Sequence, residues 1–313
     1  MKEQPDIVIQ EVSPRDGLQI EPTWVPTEEK IRLIDAFSTM GFSRIEVSSF
    51  VSPKAIPALR DAAEVFTRIR RTPGIIYVAL VPNMKGAENA LAADADELNM
   101  VMSASDTHNL ANVRMQGAES LRVFADVAKL GKSSGVLLNG SVATAFGCPF
   151  EGRQAPERVL EIVRRYLDLG VDGITLADTT GMANPAQVAA LVERVLALIP
   201  PAALTLHFHN TRGLGLANVL AAYNKGAWRF DSALGGLGGC PFAPGASGNI
   251  CTEDLANMAH DMDLKTGLDL PALIAEARKL PALLGHDMPG QVMKAGRTLD
   301  LHPTPAAVKA LLA

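Results

Sequence analysis

Short apolar runs rich in β-branched residues alternate along the chain with longer stretches in which apolar residues recur every three or four positions. The short runs have the length and composition of buried strands, and the longer stretches have the period of amphipathic helices. Eight strands are predicted, at residues 7–12, 44–49, 75–81, 97–102, 136–143, 173–176, 203–209 and 229–233. Helices are predicted between them, among them residues 28–40, 118–132, 156–169, 185–199 and 214–224.

This alternation places the chain in the α/β class with a parallel sheet. Eight is the number of strands that closes a (β/α)₈ or TIM barrel, and 313 residues suffice for such a barrel with additions. We therefore predict one domain, with a barrel over about residues 7–262 and a C-terminal helical extension over about residues 264–313. The alternative is an open doubly wound sheet. That fold usually carries GxGxxG after its first strand, and the motif does not occur there.

The clearest chemical signal is His207-Phe208-His209 at the end of the seventh predicted strand. Residues two apart on a strand face the same side, so both imidazoles can reach one metal ion. In a closed barrel the eighth strand lies between the seventh and the first, so Asp16 after strand one and Asn249 after strand eight fall in the same sector. A carboxylate, two imidazoles and an amide oxygen favour an octahedral divalent cation such as Mg²⁺ or Mn²⁺.

Other polar residues follow the strands at the end where barrel enzymes carry their active sites. Arg15 can stabilise a developing oxyanion, or it can form a surface ion pair. Glu46 and Asp178 can orient a metal-bound histidine or water, and Asp178 can instead cap a helix. Cys240 lies in the glycine-rich loop between residues 235 and 248, where a thiol can protonate a carbanion.

Composition limits the remaining function classes. The net charge is −5, with acids and bases mixed along the chain, so no nucleic-acid-binding surface is expected. No apolar run reaches the ~18–20 residues of a membrane helix, and the N-terminus lacks the apolar core of a secretion signal. Three cysteines without a CxxC pair argue against a disulfide framework. We expect a soluble cytoplasmic protein in which Cys148 and Cys251 are buried packing residues.

Several segments closely resemble the HMG-CoA (3-hydroxy-3-methylglutaryl-CoA) lyase family. They are residues 13–19 (SPRDGLQ), 48–54 (SSFVSPK), 147–152 (GCPFEG), 235–249 and 252–255 (TEDL), and the resemblance runs from about residue 7 to about residue 265. It implies a metal-dependent barrel with metal ligands Asp16, His207, His209 and Asn249. It also implies a catalytic Arg15, a loop Cys240 that protonates the product carbanion, and supporting roles for Glu46, Asp178 and Glu253; Asp16 or a site histidine such as His207 is the candidate base.

The activity implied by this resemblance is cleavage of (S)-HMG-CoA to acetyl-CoA and acetoacetate, with an acyl-CoA substrate and an enzyme that forms homodimers or larger homo-oligomers. The chain departs from the family at Ile20-Glu21-Pro22, where the lyases usually read Asn-Glu-Lys, and at Asn210-Thr211-Arg212, where they usually read Asp-Thr-Tyr after a histidine. A different substrate such as citramalyl-CoA is therefore an alternative. Two others are a condensing synthase of the same superfamily and a binding protein without activity.

Overall fold

Eight parallel strands close into a barrel, in which each barrel strand pairs with the next barrel strand along the chain and the last pairs with the first. The computed structural model describes residues 5–239, 248–305, 308–309 and 311. The barrel strands are β1 Val8–Glu11, β2 Arg44–Ser49, β3 Ile76–Val81, β4 Glu97–Ser103, β5 Leu137–Ala143, β8 Gly173–Asp178, β9 Leu204–Phe208 and β10 Arg229–Ser232; β6 Gly147–Cys148 and β7 Gly152–Arg153 form a separate antiparallel hairpin. The predicted α/β barrel is confirmed, with strand ends shifted by one or two residues.

Helices cover the outside of the barrel. Within the described residues they are α1 Thr27–Phe37, α2 Ala62–Arg68, α3 Met84–Ala92, α4 Asp106–Val113, α5 Gly117–Ser134, α6 Pro156–Asp168, α7 Pro185–Leu196, α8 Gly215–Tyr223, α9 Thr252–Asp261, α10 Leu270–Ala277, α11 Leu280–Leu284 and α12 Val292–Ala295. The helix predicted over residues 156–169 ends where expected. Gly170, which follows α6, has φ 70°, a left-handed conformation that glycine adopts without strain.

The apolar core lies between the strands and the helices. On β9, Leu204, Leu206 and Phe208 are fully buried and face this layer. Across the layer, Tyr166 of α6 packs so closely on Gly140 of β5 that a Cβ at Gly140 would lie 2.5 Å from the ring. Burying each large apolar side chain in this way stabilises the fold by about 1.5–3 kcal/mol.

The interior of the barrel is polar rather than apolar. Side chains of neighbouring and next-nearest strands are hydrogen-bonded to one another there, as Asn99 of β4 is to Glu46 of β2 and to Asn139 of β5. Arg44 of β2 likewise donates to Gln10 of β1. Because buried polar groups must be paired, this interior has fewer acceptable arrangements than an apolar one. It therefore fixes the direction of the side chains at the mouth of the barrel.

The C-terminal extension packs back onto the barrel. Helices α10 and α12 contact α9 and each other, and Leu273 and Leu280 are buried in the main core. Arg32 of α1 forms an ion pair with Glu276 of α10 at 2.6 Å. The helices predicted after residue 264 are thus present. Among the described residues, no helix has both the length and the apolar character that crossing a membrane requires.

Candidate active site

The first site segment is a single π-helical turn, Ser13–Gly17, directly after β1. The amides of Asp16 and Gly17 both donate to the carbonyl of Val12, and all five residues of the turn are buried. On an extended backbone, adjacent side chains would face opposite ways. The turn instead brings the side chains of Arg15 and Asp16 together, so that they are hydrogen-bonded to each other.

Asp16, His207 and His209 form a buried cluster that can hold a metal ion. The Nε2 atoms of the two histidines are 3.1 Å apart. Asp16 Oδ2 lies 3.6 Å from His209 Nε2 and 3.8 Å from His207 Nε2. Ligands at ~2.1 Å from an octahedral cation are ~3 Å from their neighbours, so these separations fit one ion with little movement. The structure thus brings the predicted carboxylate and both imidazoles together.

Asn249 completes the cluster. It lies in an antiparallel bridge with His209, and its Nδ2 donates to Asp16 Oδ2 at 2.7 Å and to the Leu237 carbonyl at 2.9 Å. Its Oδ1 is buried and has no hydrogen-bond partner among the described residues. A buried amide oxygen without a partner is unfavourable by about 1–3 kcal/mol unless it finds a donor or a cation. The donor set, two neutral nitrogens and two or more oxygens, suits a divalent ion.

Asp231 is the site residue that the sequence analysis missed. It is the register partner of His207 on the neighbouring strand, and His207 Nδ1 donates to Asp231 Oδ2 at 3.2 Å. A carboxylate at Nδ1 fixes the tautomer whose Nε2 lone pair is free to bind a metal. The signal available in the sequence was an acidic residue in the middle of the eighth predicted strand, residues 229–233.

The charges of the cluster shift the pKa values of its members in opposite directions. Burial tends to raise the pKa of Asp16, but Arg15 and both histidines more than offset it and hold that pKa well below its usual range. Burial tends to lower the pKa of His207, yet Asp231 and Asp16 raise it overall. For His209 burial prevails and its pKa is lowered. Asp16 is therefore ionised, which a cation ligand requires.

Arg15 is held by two carboxylates. Its Nη1 donates to Asp16 Oδ1, and its Nε and Nη2 both lie 2.6 Å from Glu46 Oε2. Burial opposes the charge of Arg15, but Asp16 and Glu46 raise its pKa above the ordinary value. The guanidinium is 8% exposed, so this is not the surface ion pair considered as the alternative. A permanently charged group with a fixed direction at the barrel mouth can stabilise a developing oxyanion.

In the part of the chain that the structure describes, neither Glu46 nor Asp178 is hydrogen-bonded to His207 or His209, so the expected contact to a histidine is not made. The hydrogen bonds of Glu46 come from Arg15 and Asn99. Asp178 Oδ1 accepts from the amides of Met182 and Ala183, so this carboxylate holds the loop between β8 and α7. Burial raises the pKa of Asp178 to about 6, against the backbone hydrogen bonds that lower it. The contact to His207 belongs to Asp231 instead.

Two buried acids hold the start of the glycine-rich loop. Glu11 Oε1 accepts from the Leu234 amide and Glu253 Oε2 from the Gly235 amide, both at 3.0 Å. Burial raises the pKa of Glu11 to about 7 and that of Glu253 to about 8. The supporting role expected for Glu253 thus has a physical form, namely anchoring the loop. Cys240 lies outside the described residues, and its proposed chemistry stays a prediction.

Cys148 and Cys251 are packing residues, as expected, and the histidines outside the cluster are either buried or on the surface. Cys148 and Cys251 are buried free thiols. His108 is buried and hydrogen-bonded to Ser103 Oγ at 2.7 Å. His260 bonds to Thr266 and His286 to Glu21, both away from the cluster.

A cavity of about 510 Å³ opens beside the cluster. Gly238, which lines it, lies so close to Asn249 that a Cβ there would be 2.7 Å from Nδ2. The other walls come from Glu21 and from the C-terminal extension, including His286, Met288 and Lys294. A second cavity of about 660 Å³ lies between α4, α5 and α6, in the outer ring of helices. Neither cavity is lined by Asp16, His207, His209 or Asn249, but Gly238 of the smaller one lies against Asn249 and Asp16, so the smaller cavity is the candidate substrate channel.

Comparisons with known proteins identify the family of the chain. The chain matches the model of the HMGL-like family over residues 6–280. It is 44% identical to hydroxymethylglutaryl-CoA lyase YngG of Bacillus subtilis, over 91% of this chain and 95% of that protein. It is 43% identical to (R)-citramalyl-CoA lyase of Chloroflexus aurantiacus, over 93% of this chain and 95% of that protein.

A solved structure is similar over nearly the whole chain. It is an HMG-CoA lyase from Acinetobacter baumannii in complex with coenzyme A and 3-methylmalate, 64% identical in sequence, with a TM-score of 0.94 over 97% of this chain and 100% of that chain. The family match and its extent lead to one assignment, which the fold supports. This chain belongs to the HMGL-like family, and the proteins to which it is similar include HMG-CoA lyases.

Proposed function

We propose that this protein is a divalent-metal-dependent carbon–carbon lyase that cleaves (S)-3-hydroxy-3-methylglutaryl-CoA to acetyl-CoA and acetoacetate. The observation that carries the proposal is the buried cluster of Asp16, His207, His209 and the unpaired Asn249 Oδ1 beside the charged Arg15. The named relatives at 44% and 64% identity are HMG-CoA lyases. A cytoplasmic location and a homo-oligomeric state remain predictions.

We assign the four cluster residues as ligands of Mg²⁺ or Mn²⁺. Such a cation supplies Lewis acidity at the substrate's tertiary hydroxyl and fixes the orientation of the acyl group. Asp231 holds His207 in the tautomer that presents Nε2, and the Leu237 carbonyl with Asp16 holds the Asn249 amide through its Nδ2, which leaves Oδ1 without a hydrogen-bond partner among the described residues. The chain thus presents its donor atoms already arranged.

Proton removal from the hydroxyl starts the reaction, and Asp16 or a site histidine is placed to accept that proton. The C2–C3 bond then breaks, its electrons pass to the thioester enolate, and acetoacetate leaves with a new keto group. In the proposal Arg15, with its fixed positive charge beside the cluster, stabilises the enolate oxygen. In the proposal Cys240 then donates a proton to the carbanion to give acetyl-CoA.

The proposal is tested by incubating the purified protein with Mg²⁺ and HMG-CoA and measuring both the CoA-ester and the free-acid products by mass. Acetyl-CoA and acetoacetate in equal amounts are expected, and no cleavage of HMG-CoA would overturn the assignment. Arg15→Met should lower kcat by about 10²–10³-fold, the range for losing one oxyanion-stabilising group. Its metal content should not change. Wild-type turnover in Arg15→Met would reject the role of this arginine.

A second candidate is cleavage of the CoA ester of a shorter 3-hydroxy dicarboxylic acid, such as citramalyl-CoA. Two relatives favour it, since one is named a citramalyl-CoA lyase and the other was solved with 3-methylmalate. Pro22 and Arg212 also stand where the lyases usually have lysine and tyrosine. The same assay with citramalyl-CoA, compared by kcat/KM, decides between the two substrates. Assaying acetyl-CoA with a keto acid tests the synthase alternative.

A further inference from the structure

Asn99 of β4 reaches across the barrel interior to Glu46 of β2. Its Nδ2 donates to Glu46 Oε1 at 2.9 Å, while the other oxygen, Oε2, receives the two nitrogens of Arg15. Asn99 and Glu46 are 6% and 1% exposed, so solvent does not replace either contact. The carboxylate of Glu46 is thus held at both oxygens, one by the guanidinium and one by the amide.

The orientation of the Asn99 amide is itself determined by its neighbours. Its Oδ1 accepts from Asn139 Nδ2 at 3.0 Å and from Ser141 Oγ at 2.7 Å. A rotated amide would place its oxygen against the carboxylate of Glu46 and its NH₂ against another NH₂. Since the reversed arrangement is repulsive on both sides, the network holds the donor of Asn99 towards Glu46.

The hydrogen bonds continue from Asn139 of β5 to the next strand, β8. Asn139 also contacts Thr175 Oγ1 of β8 at 3.0 Å. Its Oδ1 lies where a Cβ at Gly173 would come within 2.7 Å, so the absence of a side chain at Gly173 leaves room for it. The contacts therefore run from β8 through β5 and β4 to β2 and end at Arg15 beside the cluster.

The hydrogen bonds that Glu46 accepts determine both its charge and the position of Arg15. Burial raises the pKa of Glu46, while the charge of Arg15 and the hydrogen bond from Asn99 act against that rise. A buried carboxylate that loses one of its donors becomes less stable as an ion or turns towards a new partner. Either change moves the carboxylate that Nε and Nη2 of Arg15 bind, and so moves the guanidinium.

We propose that Asn99 is a positioning residue for catalysis: it fixes Glu46, and through Glu46 it fixes the direction of Arg15 at the reacting centre. This inference rests on the proposed function, because it takes Arg15 to stabilise the enolate. A displacement of about 1 Å in a catalytic group can lower the rate about 10²-fold. Asn99 touches no substrate in this role, so substrate affinity should be nearly independent of it.

The test uses Asn99→Leu and the smaller Asn99→Ala in the full chain with Mg²⁺, and Asn218→Leu as a matched control. Asn218 is an equally buried amide, but it lies on the outer helix α8. We expect kcat to fall about 10- to 100-fold in both Asn99 variants, with KM and Mn²⁺ affinity within about two-fold of wild type. Asn218→Leu should keep its kcat.

A double-mutant cycle separates positioning from a general loss of structure. If Asn99 acts through Arg15, then Arg15→Met/Asn99→Leu should be no slower than Arg15→Met alone, because there is no guanidinium left to position. If the kcat losses of Arg15→Met and Asn99→Leu multiply in the double variant, or if the Asn99 variants keep a normal kcat, the inference is overturned and the proposed function stays intact. Full turnover in Arg15→Met would reject the role of Arg15 and this inference with it, whereas no cleavage of HMG-CoA by the wild type would reject the proposed function.

Discussion

Gly238 lies directly against Asn249, whose side-chain amide donates to Asp16 of the cluster. A Cβ at Gly238 would come 2.7 Å from Asn249 Nδ2 and 3.0 Å from the Asp16 carbonyl. The backbone of Gly238 has φ 99°, which side-chain-bearing residues rarely adopt. The close approach of Asn249 and the backbone conformation both require glycine at position 238. The glycine-rich loop therefore packs directly against the cluster.

Gly238→Ala should therefore weaken metal binding as well as lower stability, because the new methyl group pushes Asn249 away from Asp16. We expect Mn²⁺ affinity to fall at least about ten-fold, measured by calorimetry on metal-free protein. Gly285→Ala is the matched control, since Gly285 also has positive φ, at 80°, but nothing lies within 4 Å of its Cβ position. It shares the backbone strain without the clash. Equal Mn²⁺ affinity in the two variants would show that the contact with Asn249 is unimportant.

Asp231→Asn should reduce the affinity for metal without removing it. The change takes away the negative charge at His207 Nδ1 that stabilises the metal-binding tautomer, and losing such a partner lowers metal affinity about 10–100-fold. His207→Ala should abolish binding, because it removes a ligand atom. Mn²⁺ titration followed by electron paramagnetic resonance gives both numbers.

Asp263→Asn is the control for that change, since Asp263 is an exposed acid with φ 58°, a conformation that asparagine also tolerates. It should bind Mn²⁺ like wild type. Retention of full affinity in Asp231→Asn would show that His207 keeps its orientation without the carboxylate.

Glu253→Gln should alter how stability depends on pH. The folded-state pKa of Glu253 is raised by burial from 4.5 to about 8, so its favourable contribution is complete below pH 4.5 and is lost as pH rises to about 8. Glutamine keeps an acceptor for the Gly235 amide and does not ionise. Between pH 5.5 and 8.5 the free energy of unfolding of wild type should fall by about 3 kcal/mol more than that of the variant.

Urea unfolding at the two pH values, in EDTA, measures this difference. Glu11 also titrates in the window, with a pKa raised to about 7, and it is present in both proteins, so the difference between them reports Glu253 together with its interaction with Glu11. Parallel pH profiles for the two proteins would contradict the assignment of a neutral Glu253 in the fold.

Much of the barrel is encoded locally. The eight strands were predicted from short β-branched runs, and the helices from their three-to-four-residue period, because secondary structure depends mostly on residues close in sequence. His207 and His209 could be paired because period two on a strand is also a local property. Closure of the barrel then brought Asp16 and Asn249 to the same sector. These parts of the site were predicted by topology without any knowledge of distances.

What only the tertiary structure decided is which polar groups contact each other inside the barrel. Glu46 was expected beside a histidine, but it binds Arg15 and Asn99, while Asp231, unremarked in the sequence, binds His207. The partners lie 24 to 53 positions apart along the chain, and their choice depends on strand register and on which donors remain unpaired after burial. Sequence patterns show that a polar residue lies on an inner face, whereas its partner is set by the closed three-dimensional network.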